Sequence, residues 1–185
     1  AGIDLNENHN WAPRIKEIPF DSDRKRMTTV HSLEKSLDGS HHISITKGAP
    51  KEVMELCSDY YDGQGAIKSM TATERQAILA ANDQFARDGL RVLAVAYRPL
   101  ESEDIREDKW DMRTLEEDMV FVGLVAMSDP PRQGVREAIE QCHRASIRII
   151  MLTGDYGLTA LSIAKKIGIV KGNNARVISG LELAD

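Results

Sequence analysis

The sequence of 185 residues has only two cysteines and no apolar run of membrane-spanning length. Its longest strongly apolar stretch, Met119–Met127, falls well short of the about 20 residues that a transmembrane helix needs. Cys57 and Cys142 lie in helical patterns without metal-site spacing, so both are interpreted as reduced core residues. The sequence pattern also leads us to expect no signal peptide. These absences predict a soluble, cytosolic segment, which is compatible with the soluble part of a membrane protein.

An excess of positive charge is also missing. The chain has 24 lysines and arginines against 29 aspartates and glutamates, which gives a formal net charge of −5. General nucleic-acid binders and proteins that bind acidic membranes are usually basic. We therefore expect no nucleic-acid partner. The net charge does not exclude binding of small anionic ligands, because such binding depends on local charge.

Strand patterns alternate with short helical patterns over the first two-thirds of the chain. Residues 1–17 are polar and are interpreted as an irregular segment of something longer. Strands are predicted at 18–20 and 27–32 around a charged turn, at 41–47, and, as buried strands, at 90–97 and 120–127. One helix is predicted from Pro50, with Val53, Met54 and Cys57 as its apolar stripe, and another from Thr71 to Gly89. The acidic segment 101–118 is interpreted as a solvated loop with a little helix.

The pattern changes at the adjacent prolines Pro130 and Pro131, which restrict the backbone and predict a hinge between two units. Apolar positions at helical spacing predict a helix that includes Val135, Ala138, Ile139 and Cys142. A strand is predicted at 147–152, followed by a second helix at about 157–167. Such a succession is typical of a parallel α/β sheet.

Five short strings occur in a fixed order: Pro19-Phe20 with Arg24-Lys25-Arg26-Met27, Lys47-Gly48-Ala49-Pro50, Gly89-Leu90-Arg91, Asp129-Pro130-Pro131-Arg132 and Thr153-Gly154-Asp155. Together they closely resemble P-type cation-transporting ATPases, most of all the bacterial members of the calcium-pump-like branch. The resemblance covers nearly the whole chain. It implies that residues 1–127 are an N-terminally truncated nucleotide-binding domain of the α+β class, with a mostly antiparallel sheet flanked by helices. Residues 128–185 would be a partial phosphorylation domain, an α/β piece of the haloacid-dehalogenase type.

The resemblance also implies an ATP site. Phe20 matches the aromatic residue on which adenine stacks, and a base on an aromatic face contributes roughly 1–3 kcal/mol. Lys25 and Lys47 match lysines that line the pocket, and Gly48 lets ligand and backbone approach closely. Arg91 matches an arginine that reaches the phosphates, and Leu93 would pack under the nucleotide.

The remaining strings match a hinge and a phosphate-positioning turn. Asp129 and Arg132 belong to the hinge, where Asp129 is also suited to cap a helix. Thr153 and Gly154 match residues that contact the transferred phosphoryl group, and Asp155 would organise their turn. One position departs from the family pattern: many calcium pumps have arginine where this chain has Ser22, which puts one phosphate contact in doubt.

The family's phosphoryl acceptor, the aspartate of Asp-Lys-Thr-Gly-Thr, is absent, as is the magnesium-binding string Gly-Asp-Gly-x-Asn-Asp. We therefore expect no catalytic residue and no metal ligand in this chain, which would bind ATP weakly without hydrolysing it. The parent protein would use ATP and Mg²⁺ to transport a cation, with Ca²⁺ favoured. The partners implied are ATP and the remaining phosphorylation, actuator and transmembrane domains, at the cytoplasmic face of the cell membrane.

Three alternatives stay open. A dehalogenase-type phosphatase needs an Asp-x-Asp nucleophile strand, which this sequence lacks. A signalling receiver domain would explain the string at 150–153 but needs an acceptor aspartate on an earlier parallel strand. An interaction module without ATP binding would leave Lys47-Gly48-Ala49-Pro50 and Arg91 unexplained.

Overall fold

The computed structural model describes residues 12–37, 39–101, 104–105, 112–172, 175–180 and 182. The chain divides into two compact units. The first comprises the residues up to 79 together with 93–125, and the second comprises 80–92 together with the residues from 126 onward. The domain boundary at 127/128 stays a prediction.

The described part of the chain contains seven strands and five helices. The strands are β1 (Arg14–Asp21), β2 (Arg26–Leu37), β3 (Ser40–Gly48), β4 (Cys57–Tyr61), β5 (Ile67–Ser69), β6 (Arg91–Leu100) and β7 (Met119–Met127). The helices are α1 (Pro50–Met54), α2 (Ala72–Arg87), α3 (Met112–Leu115), α4 (Val135–Arg144) and α5 (Gly157–Ile167).

The strands form one mixed sheet in the order β1-β2-β3-β6-β7-β4-β5. β2 pairs antiparallel with both β1 and β3, β3 pairs antiparallel with β6, and β4 with β5, whereas β4 and β7 run parallel. A mixed sheet with a few helices is compatible with the α+β class predicted for the first part of the chain. The predicted strands at 41–47 and 90–97 are confirmed, and the second of them lies inside the sheet.

Two apolar clusters form the core of the first unit. Short apolar side chains of β6 pack against α1, β4 and β7 in a cluster of Val53, Met54, Cys57, Ala94, Ala96, Met119 and Phe121. A smaller cluster joins Val30, Leu100 and Leu115. Both clusters follow from the alternation of strand side chains between two faces, which concentrates apolar residues on one side.

Three predicted elements have different bounds in the structure. β1 begins at Arg14, so the interpretation of 1–17 as irregular is wrong for its last residues, whereas 1–11 lie outside the described residues. The helix from Pro50 ends at Met54, because Cys57 already lies opposite Met119 in the β4–β7 ladder. β4 and β5 were not predicted, since their polar sequences lack a clear alternation.

The predicted strand at 120–127 is confirmed, but its predicted burial holds only for its first two residues. Val120 and Phe121 are buried, whereas Val122, Val125 and Met127 are exposed. The described ladder with β4 ends at Phe121, so the following residues extend past that neighbour. The apolar composition therefore predicted the strand correctly, but it did not predict which of its side chains are buried.

The helices α4 and α5 of the second unit lie where they were predicted, but the strand at 147–152 is wrong. Those residues have no strand conformation, and Ile150 and Leu152 are 84% and 92% exposed. A parallel strand with apolar residues on both faces needs flanking strands and covering layers. No strand in the described part of the chain pairs with this segment, and a haloacid-dehalogenase-like piece is not shown.

Candidate functional site

The charged residues between β1 and β2 form a tight hydrogen-bonded turn. The Asp21 carboxylate accepts hydrogen bonds from the backbone N–H groups of Asp23 and Arg24, both at 2.9 Å. Lys25 has a left-handed backbone conformation, with φ of +52°, and its N–H donates to the Asp21 carbonyl at 2.7 Å. The hydrogen bonds from Arg24 and Asp23 lower the pKa of Asp21, so its carboxylate stays charged and keeps the turn closed at neutral pH.

Phe20 lies at the end of β1 and is 64% exposed, so it is not a core residue. Asp21 lies opposite Arg26 in the hairpin, and successive strand residues point to opposite faces. The β1–β2 ladder is irregular between Ile18 and Asp21, where Pro19 and Phe20 together lie opposite Met27. Met27 lies opposite Lys47 of β3, so these two side chains share one face of the sheet and Phe20 lies beside it at the end of β1.

This face continues onto β6. Lys47 lies opposite Val95, and Leu93, two residues away on the same strand, shares the face and is half-buried. We call the surface of Phe20, Met27, Lys47 and Leu93 the Phe20 face. Lys47 is exposed, and its ammonium forms no hydrogen bond or ion pair with any residue that the structure describes.

Lys25 has a protein partner already. Its ammonium lies 2.7 Å from the carboxylate of Glu52 on α1, and this hydrogen bond raises the pKa of Lys25. Burial is the largest influence on Glu52 and raises its pKa, but the hydrogen bond and charge of Lys25 contribute to a net lowering. Both groups are therefore charged at neutral pH, and the pair ties the β1–β2 turn to α1.

Gly48 is required by the chain's own packing. A Cβ at this position would lie 2.5 Å from both the Lys25 carbonyl oxygen and the Arg26 Cβ, closer than real contacts allow. The same carbonyl accepts a hydrogen bond from the N–H of Ala49 at 2.9 Å. The absence of a side chain at Gly48 thus lets the turn rest directly on the junction between β3 and α1, a role that the sequence interpretation did not include.

Sequence reasoning missed Glu116, which belongs to the segment interpreted as a solvated loop. Glu116 is only 4% exposed, and its carboxylate accepts hydrogen bonds from the side chains of Arg24, Arg26 and Thr28. The Arg26 Nε–Oε2 distance is 2.8 Å, and the Thr28 Oγ1–Oε1 distance is 2.6 Å. The signal in the sequence was the polar series at every second position, 24, 26 and 28, which points to one face of a strand.

The second unit brings four of the predicted residues to one cleft. Its volume is about 420 Å³, and its lining includes Arg91, Asp129, Arg132 and Asp155. The Arg91 guanidinium forms an ion pair with the Asp155 carboxylate at 2.7 Å. The Asp155 N–H donates to the Thr153 Oγ1 at 3.1 Å, which is consistent with an organised turn.

Thr153 and Gly154 are exposed at the other end of that turn. Among the described residues, no group of three or more His, Cys, Asp or Glu side chains is arranged to hold a metal ion. That the Mg²⁺ ligands lie outside this chain stays a prediction. None of the helices described has both the length and the apolar character needed to cross a bilayer.

Residues 1–134 match the family model described as P-type ATPase, cytoplasmic domain N. The chain therefore belongs to the P-type ATPase family, and the predicted family is confirmed. Because the chain belongs to this family, we no longer retain the receiver-domain and phosphatase alternatives.

The curated relatives include pumps with different named cations. The chain is 39% identical to calcium-transporting ATPase 1 of Bacillus cereus over 170 residues, covering 92% of this chain and 18% of the relative. It is 38% identical to a calcium-transporting ATPase of Listeria monocytogenes over 180 residues, covering 97% of this chain and 19% of the relative. It is 33% identical to the sodium/potassium-transporting ATPase subunit alpha-1 of Oreochromis mossambicus over 177 residues, covering 94% of this chain and 17% of the relative. The chain thus spans less than a fifth of the length of these relatives.

Proposed function

We propose that this chain is the ATP-binding part of a P-type ATPase that couples ATP hydrolysis to transport of a cation, with Ca²⁺ favoured. The observation that carries the proposal is the Phe20 face, which presents an exposed aromatic ring together with an ammonium, that of Lys47, that has no partner among the described residues. β1 and β3 are two strands apart, about 10 Å, so Phe20 and Lys47 are spaced to contact different parts of one nucleotide.

Each side chain has a distinct physical role in this proposal. Stacking of adenine on Phe20 contributes roughly 1–3 kcal/mol and needs little hydrogen-bond recognition. Lys47 supplies a fixed positive charge, and the half-buried Leu93 supplies apolar contact under the ligand. Lys25 adds a second positive charge at the edge of the face. Phe20 and Lys47 are both exposed, so we expect weak binding.

The residues of the second unit have a phosphate-directed role in the proposal. Arg91 is paired with Asp155, so binding of a phosphate oxygen by its guanidinium requires exchange of one anionic partner for another. Asp129 and Arg132 would act at the hinge, and Thr153 and Gly154 would contact the transferred phosphoryl group.

The wider assignment follows from the family. Residues 1–127 would form the nucleotide-binding domain and residues 128–185 part of the phosphorylation domain. The parent protein would hydrolyse ATP with Mg²⁺ through an aspartyl phosphate at the cytoplasmic face of the cell membrane. Its partners would be its own phosphorylation, actuator and transmembrane domains. The calcium assignment is supported by the names of the two bacterial relatives, both calcium-transporting ATPases.

Calorimetric titration with ATP tests the site. We expect Phe20→Ala and Lys47→Ala each to weaken binding by about tenfold, because each removes one major contact. Tyr61→Ala and Lys35→Ala, which remove an exposed aromatic ring and an exposed lysine elsewhere, are the matched controls. Equal affinity of all variants would overturn the site, and no binding by the unmodified chain would favour an interaction module.

A further inference from the structure

Glu116 uses both carboxylate oxygens on side chains from one short stretch of the chain. Oε1 accepts hydrogen bonds from Arg24 and Thr28, and Oε2 accepts one from Arg26. Thr28 also shares a hydrogen bond with Thr46 at 2.7 Å, which extends the network into β3. A buried carboxylate is stable only when its charge is paired and its lone pairs are satisfied, and this arrangement meets both conditions.

The residue that carries this carboxylate is itself firmly held. Leu115, its neighbour, is fully buried in the apolar cluster with Val30 and Leu100. The carbonyl of Leu115 accepts a hydrogen bond from the Ser44 hydroxyl at 2.8 Å. Glu116 therefore connects the β1–β2 turn to the interior of the first unit from a position about ninety residues away in sequence.

We propose that Glu116 is a positioning residue for the ATP site, a claim that rests on the proposed function. It fixes the turn at residues 21–26, so that Phe20, just before that turn, and Lys25, within it, keep the arrangement that a nucleotide meets. Glu116 itself does not contact the ligand: its oxygens are occupied by Arg24, Arg26 and Thr28 inside the unit.

The turn's own hydrogen bonds do not fix its position on the sheet. Asp21 closes the turn locally, but it bonds only to residues within the turn. Besides the pairing of Arg26 with Gly48 in the β2–β3 ladder, three described connections reach outside: the ion pair from Lys25 to Glu52, the hydrogen bond from Ala49, and the Glu116 network. The Glu116 network is the buried one, so it is screened least by solvent.

The first experiment replaces Glu116 with its near-isosteric amide in the full chain. We expect Glu116→Gln to weaken ATP binding about five- to tenfold and to speed hydrogen exchange at the amides of Lys25 and Ala49 at least tenfold. The Asp62 amide, in the separate β4–β5 turn, should exchange at its original rate. Glu117→Gln is the matched control, because this neighbouring acid is exposed and contacts only Arg98 at 3.4 Å among the described residues; it should change neither quantity.

A double-mutant cycle separates positioning from a general loss of stability. If Glu116 acts through the turn residues, Glu116→Gln should change ATP affinity less than twofold in a background that already carries Phe20→Ala and Lys25→Ala. If Glu116→Gln still weakens ATP binding about five- to tenfold in that background, the proposal is overturned. Arg24→Gln, which removes a single partner of the carboxylate, gives the same test should Glu116→Gln fail to fold.

The outcomes distinguish this inference from the proposed function. Absence of ATP binding by the unmodified chain overturns the proposed function, and with it the role of Glu116 at such a site. ATP binding that Glu116→Gln leaves unchanged overturns the inference alone. A weaker affinity together with faster exchange in the turn supports both.

Discussion

Two polar turns of this chain carry family strings, and they differ in what surrounds them. The turn at 21–26 in the first unit is connected to a buried carboxylate, to α1 and to β3. The turn at 153–155 in the second unit follows an apolar segment whose side chains at Ile150 and Leu152 are almost fully exposed. The turn at 21–26 thus has several long-range partners on different elements, whereas the long-range partner described for the turn at 153–155 is Arg91, which pairs with Asp155.

The largest expected difference between the two regions is in their response to truncation of a leucine. Leu115→Ala should lower the free energy of unfolding of the first unit by about 2–5 kcal/mol, since Leu115 is fully buried and its loss leaves a cavity. Leu152→Ala should change stability by about 0.5 kcal/mol or less, because that side chain is 92% exposed. Native-state hydrogen exchange of β3 amides measures the first value. Equal effects of the two substitutions would contradict the comparison.

A pair of glycines sharpens the same comparison. Gly48→Ala should destabilise the first unit by about 1–3 kcal/mol, because the new Cβ meets backbone atoms of Lys25 and Arg26 that belong to an anchored turn. Gly154→Ala is the control, since no atom lies within 4 Å of the position that its Cβ would occupy. Thermal unfolding of both variants checks the difference. A neutral Gly48→Ala would mean that the turn moves away from β3 at little cost.

The sequence predicted more of the first unit than of the second. The hairpin around the charged turn and the strand at 41–47 follow from local alternation, as does most of the strand at 90–97. The helix that ends near Gly89 extends into the second unit and follows from capping and from a glycine with φ of +79°. Glu116 was missed because its three side-chain partners lie about ninety residues earlier. Local pattern does not reveal which distant residue will satisfy a buried charge.

The strand prediction for residues 147–152 was wrong for a related reason. Its apolar composition is that of a strand buried on both faces, and such a strand depends on neighbours rather than on its own residues. The family strings were nevertheless recognisable, because each is a short local sequence that can be identified without knowing which residues cover it in the fold. Motif and fold were therefore predictable to different extents in the same stretch of sequence.

The smallest expected effect concerns acid sensitivity of the anchored turn. Backbone hydrogen bonds from Arg24 and Asp23 lower the pKa of Asp21 from its ordinary value of 3.8. The carboxylate's contribution to the turn is therefore complete above pH 3.8 and is lost as the pH falls through the lowered folded-state value. NMR titration of the Asp23 and Arg24 amide protons should show a midpoint below 3.8.

Asp21→Asn separates this titration from general acid unfolding, because an asparagine side chain still accepts both backbone hydrogen bonds but does not ionise. In that variant the two amide signals should not titrate over the same range, whereas the rest of the first unit should behave as in the unmodified chain. A midpoint at or above 3.8 in the unmodified chain would show that the carboxylate does not hold the turn. The anchoring of residues 21–26 would then depend on their contacts with Glu116, Glu52 and the β3–α1 junction, which places the difference between the two regions in their long-range contacts.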